Sequence, residues 1–134
     1  MSYATQPDLV ARFGLQELIE QTDRVNAAVI DAAVVDRELA YASAVIDGYL
    51  AARYVLPLPT VPDLLVGLCC DLVRYALYTD AAPDIVRDRY KAAVASLRDI
   101  SNGAIKLDAA TPSAASSGLV EMVGSERLFS RAVR

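Results

Sequence analysis

Residues 60–78 read TVPDLLVGLCCDLVRYALY, and the fold turns on how this stretch is interpreted. Leu64, Leu65, Val66, Leu68, Cys69, Cys70, Leu72, Val73, Ala76 and Leu77 carry apolar side chains nearly all the way round a helix. A helix of that kind is central and covered on most sides by other elements. Thr60-Val61-Pro62-Asp63 predicts its start, with a hydroxyl cap, proline in the first turn and an acid three residues on. Only Asp71 and Arg74 interrupt the apolar pattern, and their spacing of three lets them pair with each other.

The elements that cover this helix are legible on both sides of it. Upstream, Asp31 caps a helix expected over Ala32–Arg53, with Val35, Leu39, Ala42, Ile46, Tyr49 and Arg53 on one stripe. Gly48 in that helix suggests a close backbone approach. Two shorter helices come first. Thr5-Gln6-Pro7-Asp8 opens one that Gly14 stops, and Leu15–Gln21 forms the other, ending in Thr22-Asp23-Arg24. Between the two long segments, Tyr54-Val55-Leu56-Pro57-Leu58-Pro59-Thr60 is forced out of helix by its prolines. It reads as a rigid extended connector with Leu56 and Leu58 tucked inward; a polyproline-type ligand is the alternative. Downstream, Thr79-Asp80-Ala81-Ala82-Pro83-Asp84 reads as a turn and a new cap, and Ile85, Arg89, Tyr90, Ala93, Leu97 and Ile100 mark a last helix that runs to about Ser101 and stops at Asn102-Gly103. Ala104–Leu107 alternates and predicts one short strand. The expectation is an all-α protein, a small bundle of four to five helices within residues 1–107. From Asp108 to Arg134 the chain reads as a linker of Ala, Thr, Pro, Ser and Gly followed by a docking arm. There Leu119-Val120-Glu121-Met122-Val123 and Leu128-Phe129 are apolar again.

Composition excludes much chemistry. The 134 residues contain no histidine and no tryptophan, which removes imidazole-based nucleophile systems and zinc sites. Cys69 and Cys70 are adjacent and read as buried thiols rather than as a disulfide or a metal site. The carboxylate pairs Glu17/Glu20 and Asp84/Asp88 read as solvated helix faces, and no glycine-rich phosphate loop precedes Lys-Ser or Lys-Thr. Ser43 and Ser96 have no base in sequence reach. Asp23, Asn26 and Asp31 are a weak calcium-like set without the turn glycine, and read as cap and turn. The net charge is −4, with eight acids against four bases in residues 1–60 and nine of each in 61–134. An extended basic DNA-binding face is therefore not expected. Neither a secretory signal nor a membrane span is expected, so the reading is a soluble cytoplasmic product that does not bind membrane. Seven tyrosines against two phenylalanines favour a surface that is apolar with polar tips, as assembly interfaces are.

The run Tyr3–Gly14, then Glu17-Leu18-Ile19, Thr22-Asp23-Arg24 and Ile46-Asp47-Gly48-Tyr49-Leu50-Ala51-Ala52-Arg53-Tyr54 resembles a family of small proteins of Mu-like phages and prophages. The resemblance continues through Leu56-Pro57-Leu58-Pro59, Cys70-Asp71-Leu72-Val73-Arg74-Tyr75 and Glu126-Arg127-Leu128-Phe129-Ser130-Arg131. Relatives often carry an Asp- and Gly-rich loop where this chain has Arg24–Ile30, which argues against a metal here. The family is similar to the head–tail connectors (adaptors) of long-tailed phages. What the resemblance implies is a structural virion protein of the neck, made in the bacterial host cytoplasm, with no catalysis and no cofactor. It implies a helical subunit that forms a ring, usually of twelve copies, beneath the portal protein. The ring would adjoin a tail-proximal stopper or terminator protein, and DNA would slide through its lumen. Candidate interface residues are Leu128, Phe129 and Arg131 of the arm, and Tyr54, Leu56, Pro57, Leu58 and Pro59 of the proline-rich segment. The alternative is a helical DNA-binding protein of phage packaging or regulation, its two short front helices imitating a helix-turn-helix. The acidic front half speaks against it.

Overall fold

A helix at Asp63–Leu77, the fourth of five, lies at the centre of the molecule, as its all-round hydrophobicity requires. The computed structural model describes residues 2–23, 25–79 and 81–107. The helices are α1 (Gln6–Phe13), α2 (Leu15–Thr22), α3 (Ala32–Leu50), α4 (Asp63–Leu77) and α5 (Asp84–Ser101), and there is no strand among the described residues. Helix α4 packs on α1, α3 and α5 at once, and α3 also touches α5. Leu65, Cys69, Cys70 and Val73 of α4 are wholly buried. They meet Leu9 of α1, Val35 and Ile46 of α3, and Leu97 and Ile100 of α5 in one continuous core. The protein is an all-α bundle.

Local chemistry sets most of the helix ends. Thr5 and Asp8 form a reciprocal capping box that starts α1. Gly14, at φ +92°, separates α1 from α2. Asp31 accepts from the Ala33 and Val34 amides and starts α3. The 23–31 loop is closed from inside. Fully buried Thr22 donates to Leu18 O (2.7 Å) and accepts from the Asp31 amide (3.0 Å). The segment before α1 straps across α3, where the buried Tyr3 hydroxyl donates to Asp47 and the Tyr3 amide donates to Ser43 Oγ (3.2 Å).

Several expected boundaries move. Helix α3 ends at Leu50 rather than Arg53, because residues 51–53 turn so that the Arg53 and Tyr54 amides both return to Leu50 O. Arg53, freed from the helix, reaches the other end of the bundle's chain path and caps α5, donating to Ser101 O (3.0 Å) and Asn102 O (2.9 Å). Helix α4 begins at Asp63 with Pro62 as its cap residue, so Thr60 does not cap it. Pro62 has no side-chain oxygen to accept from the first-turn amides, so α4 starts without a side-chain cap. Ala104–Leu107 is turn and coil, not a strand. Gly103 at φ +90° reverses the chain, and the Ile105 amide returns to Asp99 O (3.1 Å). Leu107 is then buried, its amide held by the Tyr54 hydroxyl (3.1 Å). Gly48 faces open space, so no neighbouring backbone approaches it. Asp71 and Arg74 do not form the expected pair, because Arg74 is taken by Glu17 of α2.

Candidate functional site

Three features of the described surface bear on what the chain could bind. The first is the proline-rich segment. The Leu56–Pro57 peptide is cis. Tyr54 and Leu58 are buried in the core and Leu56 is half-buried against it. Only Val55, Pro57, Pro59 and Thr60 face outward. The inward tuck of Leu56 and Leu58 is as the sequence suggests, and it leaves Pro57 and Pro59 as the accessible members of the candidate set. Leu128, Phe129 and Arg131 lie outside the described residues.

The second feature is the electrostatic clamp between α2 and α4. The Arg74 guanidinium is bidentate on Glu17 (Nε–Oε2 2.7 Å, Nη2–Oε1 2.9 Å) and sits 4.4 Å over the Phe13 ring. Both side chains are largely sequestered, at 16% and 22% exposure. Arg12, Asp71, Ile85 and Arg89 complete a shallow depression of about 310 Å³ around the clamp. Burial pushes the Asp71 carboxyl upward, against the pull of Arg89, Arg12 and Arg74.

The third feature was not singled out by sequence reasoning. Helices α3, α4 and α5 leave a groove of about 470 Å³ between them. Four of the seven tyrosines line it: Tyr41 and Tyr49 from α3, Tyr75 from α4 and Tyr90 from α5. The Tyr75 and Tyr90 rings stack at 4.1 Å between centroids and form its floor. Tyr41, 68% exposed, stands at its edge. Glu38 and Arg98 supply one charge of each sign. The signal was present in the sequence, since Tyr41 and Tyr49 are two helical turns apart on one face, but it needed the packing of three helices to become a groove.

Several of the groups screened for chemistry have structural roles among the described residues. Cys69 and Cys70 are buried free thiols, pushed up by burial to about 11 and about 12. Glu20 accepts from Gln16 (3.2 Å), and Asp84 pairs with Arg87. Asp23 accepts from the Val25, Ala27 and Ala28 amides, and those bonds hold its carboxyl below the usual range. That is the turn reading of the 23–31 loop. No cluster of three metal-ligating side chains occurs among the described residues, and no described helix is long and apolar enough to cross a membrane.

The comparisons with known proteins agree with one another. The family model described as Bacteriophage Mu, Gp36 matches residues 3–123. The Mu-like prophage FluMu protein gp36 of Haemophilus influenzae is 36% identical over 127 residues, covering 92% of this chain and 90% of its own. Gene product J of Escherichia phage Mu is 36% identical over 135 residues, covering 98% and 96%. With a family match over nearly the whole length and two relatives aligned end to end, the chain belongs to the Bacteriophage Mu Gp36 family.

Proposed function

We propose that the chain is a head–tail connector (adaptor) subunit, a non-catalytic, cofactor-free virion protein. It assembles into a twelve-fold ring beneath the portal and joins the capsid to the tail at the neck. Its partners are then other copies of itself, the portal protein and a tail-proximal stopper or terminator, while DNA passes through the lumen without sequence-specific contact. The observation that carries the reading is the membership of a Mu phage family by a small helical bundle, several of whose carboxylates are tied into the fold. Glu17, Asp23, Asp31 and Asp47 each hold a backbone amide or another side chain. What remains outward is surface suited to packing: the tyrosine groove, and Val55, Ile85 and Leu15 at 49%, 61% and 54% exposure. A net charge of −4 gives sliding phosphates little to hold.

Native mass analysis tests this, with the purified protein alone and mixed with the portal protein from the same genetic neighbourhood. A ring complex with one copy per portal subunit is the expected result. A protein that ignores the portal and instead binds duplex DNA in a salt-sensitive manner would replace the connector reading with the packaging or regulatory one. In the ring, removal of residues 119–134 is expected to prevent docking while the bundle stays folded.

A further inference from the structure

The geometry points to the tyrosine groove of α3, α4 and α5 as the seat, in the free subunit, of the same chain's own C-terminal segment, with residues 121–127 laid along it. The inference is independent of the ring reading.

Three observations carry it. The first is where the described chain stops. Leu107 is anchored to Tyr54, and Arg53 ties the C-terminal ends of α3 and α5 together. Tyr49 and Arg98 stand within a turn or so of those ends, so the chain leaves the bundle beside one mouth of the groove.

The second is reach. The groove runs along α3 from Tyr49 back to Glu38, about 16 Å at helical rise. Residues 108–118 as a Gly/Ser-type linker have a root-mean-square span of about 18 Å. A short tether of this kind gives an effective concentration in the millimolar range, and its span is enough to bring the segment from the end of the bundle to the groove.

The third is the order of charges. The groove presents Arg98 at the near mouth and Glu38 at the far one, and among the described residues the Arg98 guanidinium forms no ion pair. The segment presents them in the complementary order, Glu121 first and Arg127 six residues later, about 20 Å apart if extended. Laid from the near mouth, Glu121 meets Arg98 and Arg127 meets Glu38. Met122 and Val123 then fall against tyrosine rings, the kind of surface that takes apolar and thioether groups well.

The sequence supplies its own probe, because Met1 and Met122 are the only methionines. The full-length protein is labelled at the methionine methyls and observed by NMR at several concentrations, with Met122→Leu for assignment and the peptide 108–134 as reference. The expected result is a Met122 methyl shifted upfield of its position in the peptide, with cross-relaxation to tyrosine ring protons and no dependence on concentration. Ala76→Arg, an exposed position on the groove wall, is expected to return the signal to the peptide position while helical circular dichroism is unchanged. Arg98→Glu is expected to weaken the shift, and Arg98→Glu with Glu121→Lys to restore it. A Met122 methyl at the peptide position in the wild-type chain overturns the inference. So does a shift that survives Ala76→Arg, or one that vanishes on dilution, since the segment would then lie elsewhere or belong to another copy. Because no portal is present in this measurement, its outcome is separate from that of the ring.

Discussion

The pairing of Arg74 with Glu17 is the most sharply testable contact in the fold. Helix α2 packs closely on α1, and its tie to the central helix runs through this bidentate pair. The expected magnitude follows from its burial. An exposed ion pair contributes at most about 1 kcal/mol, whereas breaking a buried one costs about 3–5 kcal/mol because a charge is left without a partner. At 16% and 22% side-chain exposure the pair lies nearer the buried end, so Arg74→Ala should cost about 2.5 kcal/mol through Glu17. Loss of the cation over Phe13 adds about 0.5 kcal/mol. For a folded unit of this size, about 3 kcal/mol lowers Tm by about 12 °C. The assay is urea denaturation of wild type, Arg74→Met, Glu17→Gln and the double variant, read as a double-mutant cycle. A coupling energy near 2 kcal/mol is expected, with the double variant more stable than Arg74→Met alone, because the stranded carboxylate is gone. A coupling below about 0.5 kcal/mol would show that the pair behaves as a surface contact, and the assignment of the α2–α4 tie to it would be wrong.

Other consequences are independent of that clamp. Gly103→Ala should destabilise by about 2 kcal/mol or more in thermal unfolding, since a Cβ would lie 2.7 Å from the Arg53 guanidinium carbon at a φ of +90°. Ala28 holds φ +60°, so Ala28→Gly should stabilise by about 0.5 kcal/mol, the strain relieved exceeding the added entropy of the unfolded chain. Stability should fall as pH rises past about 9, the ordinary thiol range. The unfolded thiols then release protons that folded Cys69 and Cys70 keep up to about 11 and about 12, and Tyr3 acts in the same sense at higher pH; alkaline denaturation midpoints read this. Asp71 has its carboxyl raised in the folded state, so its charge opposes folding at neutral pH, and Asp71→Asn should leave the urea midpoint unchanged or raise it.

What could be read in advance follows the range of the interactions involved. Helix α4 was legible because an all-round apolar face admits only a central position. The Thr5 and Asp31 caps were legible because capping lies within three residues of sequence. Several of the misplacements involve partners distant along the chain. Arg74 pairs 57 residues away rather than three, because Asp71 lies beside the cationic group of Arg12 and Arg89 while Glu17 presents both oxygens to the guanidinium fork. Arg53 fits the α3 stripe but serves as the cap of a helix 48 residues on. Ala104–Leu107 alternates like a strand, yet its buried residue is positioned by a tyrosine hydroxyl 53 residues earlier. The tyrosine groove was missed for the same reason, being the property of three helices and none of them alone. The arm residues Leu128, Phe129 and Arg131 lie outside the described residues.

The proline-rich segment shows how the same few residues can serve both the core and an outer surface. Tyr54 and Leu58 are sealed inside, and Tyr54 also holds the last described amide. With both ends of the segment anchored in the core and proline removing backbone freedom between them, Val55, Pro57 and Pro59 are presented on a chain that has little entropy left to lose. Association at such a surface loses less to ordering than association at a mobile loop would. The groove has the same property, since Tyr75 and Tyr90 are already stacked on each other before any partner arrives. Under the proposed assembly, rigid receiving surfaces of this kind lower the ordering cost of association.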